Sequence, residues 1–316
     1  MVAGVAGVAG VAVAMGGLWE HGLMPEGDTI YRAAAALRTA LVGQKLMAFD
    51  APRLVGQAPT AGRVIENVRS HGKNLEIIFD DGVVLHTHMK MTGSWHLYRP
   101  GEQWRRPQRQ MRAIVETASW LAVCFNAPVV ETYRVHDRRR HPGMGNLGPD
   151  LCSPDADLGR CVELLMTYAD RDMPVADVLL DQRVLCGVGN VYRSEVLWAC
   201  ELSPWGLVQD VTEREARAIV DTASQLLRAN LRHAQRITVA DVPGGLAVYG
   251  RTAQPCFRCR STIESKRTGE FARVVYWCPG CQRRHEPAEE PPAREMDPHP
   301  AAAKYLADLP WRRHSS

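Results

Sequence analysis

A chain of 316 residues with 46% hydrophobic and 23% charged content has the balance of an ordinary soluble globular protein, long enough for two or three domains. Its formal net charge of only +3 excludes a whole-chain electrostatic signature of a nucleic-acid partner, so any such signal has to be local. The nine cysteines are an odd number and no convincing secretory signal precedes them, which points to a reducing cytosol.

The chain opens on "MVAGVAGVAGVAVAMGGLWEH", a near-repeat of Val, Ala and Gly without the positive n-region of a secretory signal. Its uncharged stretch, 1–18, is nominally long enough to span a bilayer, but Gly and Ala give it little apolar drive. We therefore expect 1–23 to be a non-native or disordered extension, with a membrane tether as the alternative. The next residues, "MPEGDTIYRAAAALRTAL", look like the start of a protein.

Over 24–135 one helix is followed by strands. Asp28 or Thr29 is placed to cap the helix, Ile30, Ala33, Ala34, Leu37 and Leu41 recur on one face, and Gly43 stops it. Strands are expected at 64–69, 75–79 and 83–88, with Asp80-Asp81-Gly82 as a hairpin turn. "RAIVET" and "WLAVCFN" form a further hairpin. Antiparallel strands at this density mean a sandwich or a barrel. Two arginine clusters stand out, Arg105, Arg106, Arg109 and Arg112, then Arg138, Arg139 and Arg140; runs of this kind are usually solvated surface.

A polar, Gly- and Pro-rich linker at 136–150 leads into helical patterns at 157–168, 174–180, 190–200 and 212–233 within a segment 151–247. The last helix opens on a Thr212/Glu215 capping box. Five cysteines, Cys124, Cys152, Cys161, Cys186 and Cys200, are scattered in apolar surroundings and read as reduced core residues. Residues 248–285 hold a small module, and the six prolines and many charges of 286–316 suggest a disordered tail.

Four stretches carry chemistry. Cys256, Cys259, Cys278 and Cys281 form C-x2-C, eighteen residues, then C-x2-C, which closes a four-thiolate structural metal site with no open position. Zinc suits it best; a rubredoxin-like iron site and an accident of spacing are the alternatives. The basic, β-prone loop between the pairs projects Arg273 toward a groove. "CGVGN" puts a glycine-rich turn before a helix N-terminus, a ready phosphate seat with Asn190 as side-chain donor, although a tight helix–helix connection needs the same glycines. "HGK" places Lys73 where a strand begins, by itself an ordinary solvated edge lysine. "HMKMTGSW" places Met91 at the tip of a strand pair, either a loosely packed core residue or a wedge for a base stack.

Together, MPEG, HGK, HMKMTGSW, GVGN, VYGR (248–251) and the two C-x2-C pairs stand in the order of the formamidopyrimidine-DNA glycosylase/endonuclease VIII family, which the chain resembles. The resemblance spans 24–284 and is nearest the bacterial endonuclease VIII branch. It implies an α+β multidomain fold: an N-terminal antiparallel β-sandwich with a leading helix, a helix–two-turn–helix domain and a four-cysteine zinc-finger hairpin.

It further implies a bifunctional DNA glycosylase and apurinic/apyrimidinic-site lyase of base excision repair, carrying one structural Zn2+ and acting as a monomer on damaged double-stranded DNA. The setting implied is the bacterial cytosol, at the nucleoid. Pro25 becomes the nucleophile through a Schiff base at C1′, with β,δ-elimination following. Glu26 is the acid/base carboxylate, and Lys73 a DNA-contacting lysine that assists. Met91 fills the hole left by the flipped base, and Asn190 and Arg273 hold phosphate. The family's second acidic residue, in M-P-E-x-P-E, is absent, and Asp28 is the nearest replacement. Gly27 and the short region between His233 and Val248 favour oxidised pyrimidines. An 8-oxoguanine enzyme and a catalytically silent DNA-binding relative are the alternatives. While residue 24 remains attached, Pro25 is a tertiary amide and cannot form an iminium. The active protein is therefore expected to begin at Pro25, after removal of Met24.

Overall fold

The computed structural model describes residues 25–268 and 272–285; the expectations about an N-terminal extension and a C-terminal tail fall outside these residues. Helix α1 (Gly27–Leu41) buries Ile30, Ala33, Ala34, Leu37 and Leu41, the face expected from their spacing. Its N-cap is Glu26 rather than Asp28 or Thr29, and no side chain caps the helix. The two expected caps lie inside the first turn, where the Asp28 carboxylate and the Thr29 hydroxyl both accept from the Arg236 guanidinium. Gly43, at φ 80°, takes the chain out of the helix.

Eight strands follow: β1 (Ala48–Asp50), β2 (Ile65–His71), β3 (Asn74–Phe79), β4 (Val83–His88), β5 (Ser94–Tyr98), β6 (Met111–Glu116), β7 (Leu121–Phe125) and β8 (Val129–Arg134). They form two antiparallel four-stranded sheets, ordered β1-β6-β7-β5 and β2-β3-β4-β8. Leu75, Ile77, Phe79 and Leu85 of one sheet share a buried core with Trp95, Val115 and Cys124 of the other and with the apolar face of α1. This is a sandwich closed by a helix, and of the two architectures left open by the strand pattern it is the one that forms. Gly82, at φ 77°, turns β3 into β4 as the Asp-Asp-Gly stretch requires.

The helical part holds α2 (Leu158–Met166), α3 (Val175–Val178), α4 (Asn190–Ala199) and α5 (Glu213–Ala229). Asp157 caps α2 by accepting from the Arg160 amide, and the Thr212/Glu215 capping box of α5 is complete. All four helices are shorter than their sequence patterns, α5 by the most. Helix α3 is a single turn. Helix α5 ends at Ala229, because the Asn230 side chain donates to Leu226 O and Ile237 O and accepts from the Ile237 amide, folding the chain back. The five scattered cysteines are all buried and unbridged.

Hairpin β9 (Glu264–Thr268) and β10 (Arg273–Trp277) holds the last strands of the described residues. Cys256, Cys278, Cys281 and Ile263 belong to the same buried cluster as α4 and α5, so the hairpin is rooted in the helical core. No helix of the described residues is long and apolar enough to cross a membrane.

The sandwich and the helical part are tied by ion pairing under α1. Asp28, fully buried, pairs with Arg236 at 2.7 Å and with Arg32 at 3.3 Å. Burial alone would raise its carboxyl; the charge and hydrogen bonds of Arg236, with the charge of Arg32, outweigh that and hold it below the usual range. A carboxyl with a lowered folded-state pKa contributes stability above its unfolded value near 3.9, and that contribution is lost as pH falls through the folded value. Asp28→Ala should cost about 3–5 kcal/mol at neutral pH, because it leaves buried guanidinium uncompensated. Denaturant unfolding checks this, and the difference from the unmutated chain should shrink below about pH 4.

Candidate active site

The site forms where α1, the β2–β3 turn and α4 meet. Glu26 is 1% exposed, and its carboxylate lies on the N-terminus of α4. Val191 N donates to Oε1 at 2.7 Å; Gly189 N and Tyr192 N donate to Oε2 at 3.0 and 3.3 Å. Three amide donors and the positive end of the helix dipole converge on one carboxylate. The main chain makes the same junction, since Gly27 N donates to Gly187 O at 2.9 Å.

This contact explains the glycines of GVGN. A Cβ on Gly189 would stand 2.3 Å from Glu26 Cδ, and Gly187 adopts φ 104°. The turn was expected to offer exposed amides to a phosphate; instead three of the amides at this helix start are taken by the chain's own carboxylate. Asn190 is 6% exposed. It donates to Val274 O of the hairpin at 2.9 Å, and its Oδ1 accepts from Arg193, which is also paired to Asp177. Asn190 thus joins α4 to β10.

Pro25 is buried beside Glu26. Lys73 occupies the β2–β3 turn after Gly72, whose φ of 56° and lack of a Cβ allow the turn to press on Cys186; a Cβ there would meet Cys186 Sγ at 2.3 Å. Lys73 is therefore not a solvated edge lysine. Burial pulls its ammonium down to about 8, with Glu26 pulling it up and Arg273 pushing it further down, and Cys186 and Arg236 act on it as well. These interactions bring Glu26, Lys73, Arg273 and Arg236 into one electrostatic neighbourhood.

Met91 is 57% exposed at the β4–β5 turn, next to Lys90 at φ 43°. His88, whose Nδ1 accepts from Lys90 N, is lowered by burial and then by the charge of Lys73 to about 4, so at neutral pH this wall adds no histidine charge. The Met91 turn and the Lys73 turn are thus neighbours. Of the arginine clusters, Arg138 is committed to Glu76 at 3.1 Å, whereas Arg139 and Arg140 are exposed.

Cys256, Cys259, Cys278 and Cys281 present sulfurs that all lie within 4.8 Å of one another. The Cys256–Cys281 and Cys259–Cys278 Sγ separations are 3.7 and 3.3 Å. A tetrahedron of ~2.3 Å metal–sulfur bonds has edges of about 3.8 Å, so the four thiols fit one metal ion closely.

Sequence reasoning missed Arg236 as the partner of Asp28 and Gly189 as the seat of Glu26. No short-range signal marks these two, because each partner comes from a distant segment. Glu195, which the sequence marks as structural rather than catalytic, has that role: its carboxylate accepts from the amides of Ala247, Val248 and Tyr249 and thereby fixes the VYGR turn.

Two family models match the chain: the formamidopyrimidine-DNA glycosylase N-terminal domain over residues 24–141, and the formamidopyrimidine-DNA glycosylase H2TH domain over residues 147–241. A probable endonuclease 8 2 of Streptomyces coelicolor is 37% identical over 276 residues, covering 86% of this chain and 98% of that protein. The DNA-(apurinic or apyrimidinic site) lyase Nei2 of Mycolicibacterium smegmatis is 39% identical over 264 residues, covering 82% and 99%. The fold matches that of the Lactococcus lactis formamidopyrimidine-DNA glycosylase, solved with abasic-site DNA. The TM-score is 0.71 at 21% identity, over 82% of this chain and 100% of that one.

The titration of Lys73 tests the site's electrostatics. After reductive methylation with a 13C label, the Lys73 amine should titrate near pH 8, and a midpoint near the ordinary 10.5 would contradict the buried, cation-flanked setting.

Proposed function

The chain belongs to the formamidopyrimidine-DNA glycosylase family, and on that premise we propose that it excises oxidised bases from DNA and then cleaves the abasic strand, as a bifunctional glycosylase and lyase of base excision repair. The observation that carries the reading is the Glu26 carboxylate seated on the N-terminus of α4, with Pro25 as its chain neighbour and Lys73 within its electrostatic reach.

In this reading the active chain begins at Pro25. The N-terminal family model starts matching at residue 24, in keeping with removal of one methionine. The free secondary amine of Pro25 attacks C1′ of the damaged nucleotide, the C1′–base bond breaks, and the base leaves with its electron pair and a proton. Opening of the C1′–O4′ bond gives an iminium between Pro25 and C1′. Loss of a C2′ proton expels the 3′ phosphate, and a second elimination expels the 5′ phosphate. Water then releases the sugar remnant and restores the amine.

Glu26 moves the protons of these steps. Its oxygens are held by amide donors, so the carboxylate is positioned before substrate arrives and costs no reorganisation. Lys73, positively charged below about pH 8, and Arg273 hold the phosphates that flank the lesion, and Asn190, expected to do the same, contributes by bracing the hairpin that carries Arg273. Met91, large, apolar and exposed, fills the gap left in the stack. Asp28 serves as the second acidic residue near the opening, acting through Arg236 on the start of α1.

The four cysteines hold one Zn2+, which when bound supplies structural closure of the hairpin carrying Arg273. Damaged duplex DNA is the partner, the protein acts as a monomer, and the setting is the bacterial cytosol. Oxidised pyrimidines are the favoured lesions. The chain between α5 and residue 247 is compact, with Asn230 tied to Ile237 and the Thr238 hydroxyl donating to Glu195, and does not form a long cap over a flipped base. The endonuclease 8 names of the relatives are in keeping with the branch from which the resemblance draws that preference.

The test is strand incision by a chain beginning at Pro25, on duplexes carrying thymine glycol, 5-hydroxycytosine, 5-hydroxyuracil or 8-oxoguanine. Cleavage of the pyrimidine lesions at least tenfold faster than 8-oxoguanine, with phosphate at both ends of the gap, is expected. Preference for 8-oxoguanine would transfer the assignment to that substrate, and binding without incision would make the protein a silent relative.

A further inference from the structure

Across the outer face of the β2-β3-β4-β8 sheet, Glu76, His86 and Glu131 form one row, each opposite the next in strand register. The two carboxylates are treated very differently. Glu76 is neutralised by Arg69 at 2.7 Å and Arg138 at 3.1 Å. Glu131 has no such cation: among the described residues its ion partners are two imidazoles, His86 Nδ1 at 2.9 Å from Oε1 and His141 Nε2 at 3.4 Å from the same oxygen. All three atoms lie within 4.8 Å of one another.

The orientation of His86 is set from behind. Asn74 donates its amide to His71 O at 3.2 Å, which turns Oδ1 toward His86 Nε2 at 2.9 Å. An oxygen acceptor there requires the proton on Nε2. In the neutral ring, the form that suits a side chain only 2% exposed, Nδ1 is then a bare lone pair. It faces a carboxylate oxygen 2.9 Å away. Two acceptors at that separation need a positive centre between them.

We propose that His86 Nδ1, Glu131 Oε1 and His141 Nε2 form a second metal site, separate from the four cysteines, for a divalent ion of the zinc, cobalt or nickel class. The donor set of two imidazoles and one carboxylate suits such ions. Tetrahedral ligands at ~2.0–2.1 Å stand about 3.4 Å apart, close to the 2.9 and 3.4 Å observed. Asn74 is the outer partner that fixes the ligating tautomer, as acceptors behind metal-bound histidines do. Glu131 is 24% exposed, which leaves a side open for entry and for water as a fourth ligand.

One contact has to yield. Gly143 N donates to His141 Nδ1 at 3.2 Å, which keeps the His141 proton on Nε2 in the metal-free protein. Ligation moves that proton to Nδ1 and leaves the Gly143 amide to solvent, which an exposed turn permits. The ion would fasten the turn containing His141, part of the segment that joins the sandwich to the helical part, onto β4 and β8.

The experiment uses the chain beginning at Pro25, the form expected to incise DNA, with its four-cysteine site already filled with Zn2+, titrated with Co2+. One further equivalent is expected, with visible d–d bands of a nitrogen/oxygen site and no thiolate-to-cobalt charge-transfer band. Glu131→Gln, nearly isosteric, and His141→Ala, in a surface turn, should each weaken this second ion at least tenfold, while cysteine-bound zinc and DNA incision stay unchanged. Zn2+ should raise Tm in the unmutated chain and not in either variant. Absence of a second equivalent, or a second ion bound equally well by both variants, would overturn the proposal.

Discussion

The structure turns on one carboxylate placed at one helix start. Glu26 opens α1 with its own carbonyl, which accepts from Thr29 and Ile30, while its side chain closes the N-terminus of α4. A residue that serves two helices at once cannot move without loosening both. That constraint accounts for Gly189, where a side chain would occupy the carboxylate's place, and for the main-chain contact of Gly27 with Gly187. It also fixes Pro25, the chain neighbour of Glu26, close to the junction of the sandwich and the helical part.

Around that seam buried and half-buried charges act on one another. Glu26 and Asp28 are the buried carboxylates of the neighbourhood, and Lys73, Arg32, Arg236 and Arg273 stand against them. Asp28 is consumed by two guanidinium groups, which leaves Glu26 as the carboxylate that acts on Lys73. The lowered pKa of Lys73 reports this: burial and Arg273 both favour the neutral amine, and Glu26 opposes them.

Much of this was legible from local pattern. The apolar face of α1, the Asp80-Asp81-Gly82 turn, the capping box of α5 and the spacing of Cys256, Cys259, Cys278 and Cys281 depend on residues within a few positions or on fixed ligand spacing, and each took the form the sequence suggests. What escaped depends on partners far along the chain. Asp28 looks like a helix cap until Arg236, 208 residues away, claims it. GVGN looks like an open anion seat until Glu26, 163 residues away from Gly189, fills it. Lys73 looks solvated because nothing local tells that Gly72 lets its turn press on Cys186. The early end of α5 has the same origin, in the tertiary hydrogen bonds of Asn230.

The central claim is that a free nitrogen on Pro25, seated beside the anchored Glu26, does the chemistry. Borohydride trapping on abasic-site DNA tests it most directly, comparing a chain that begins at Pro25 with the 316-residue chain, and mapping the adduct by mass spectrometry of peptides. The account predicts a covalent adduct on Pro25 in the shorter chain and none in the longer one. An adduct of equal yield in both, mapped to Lys73, would contradict it.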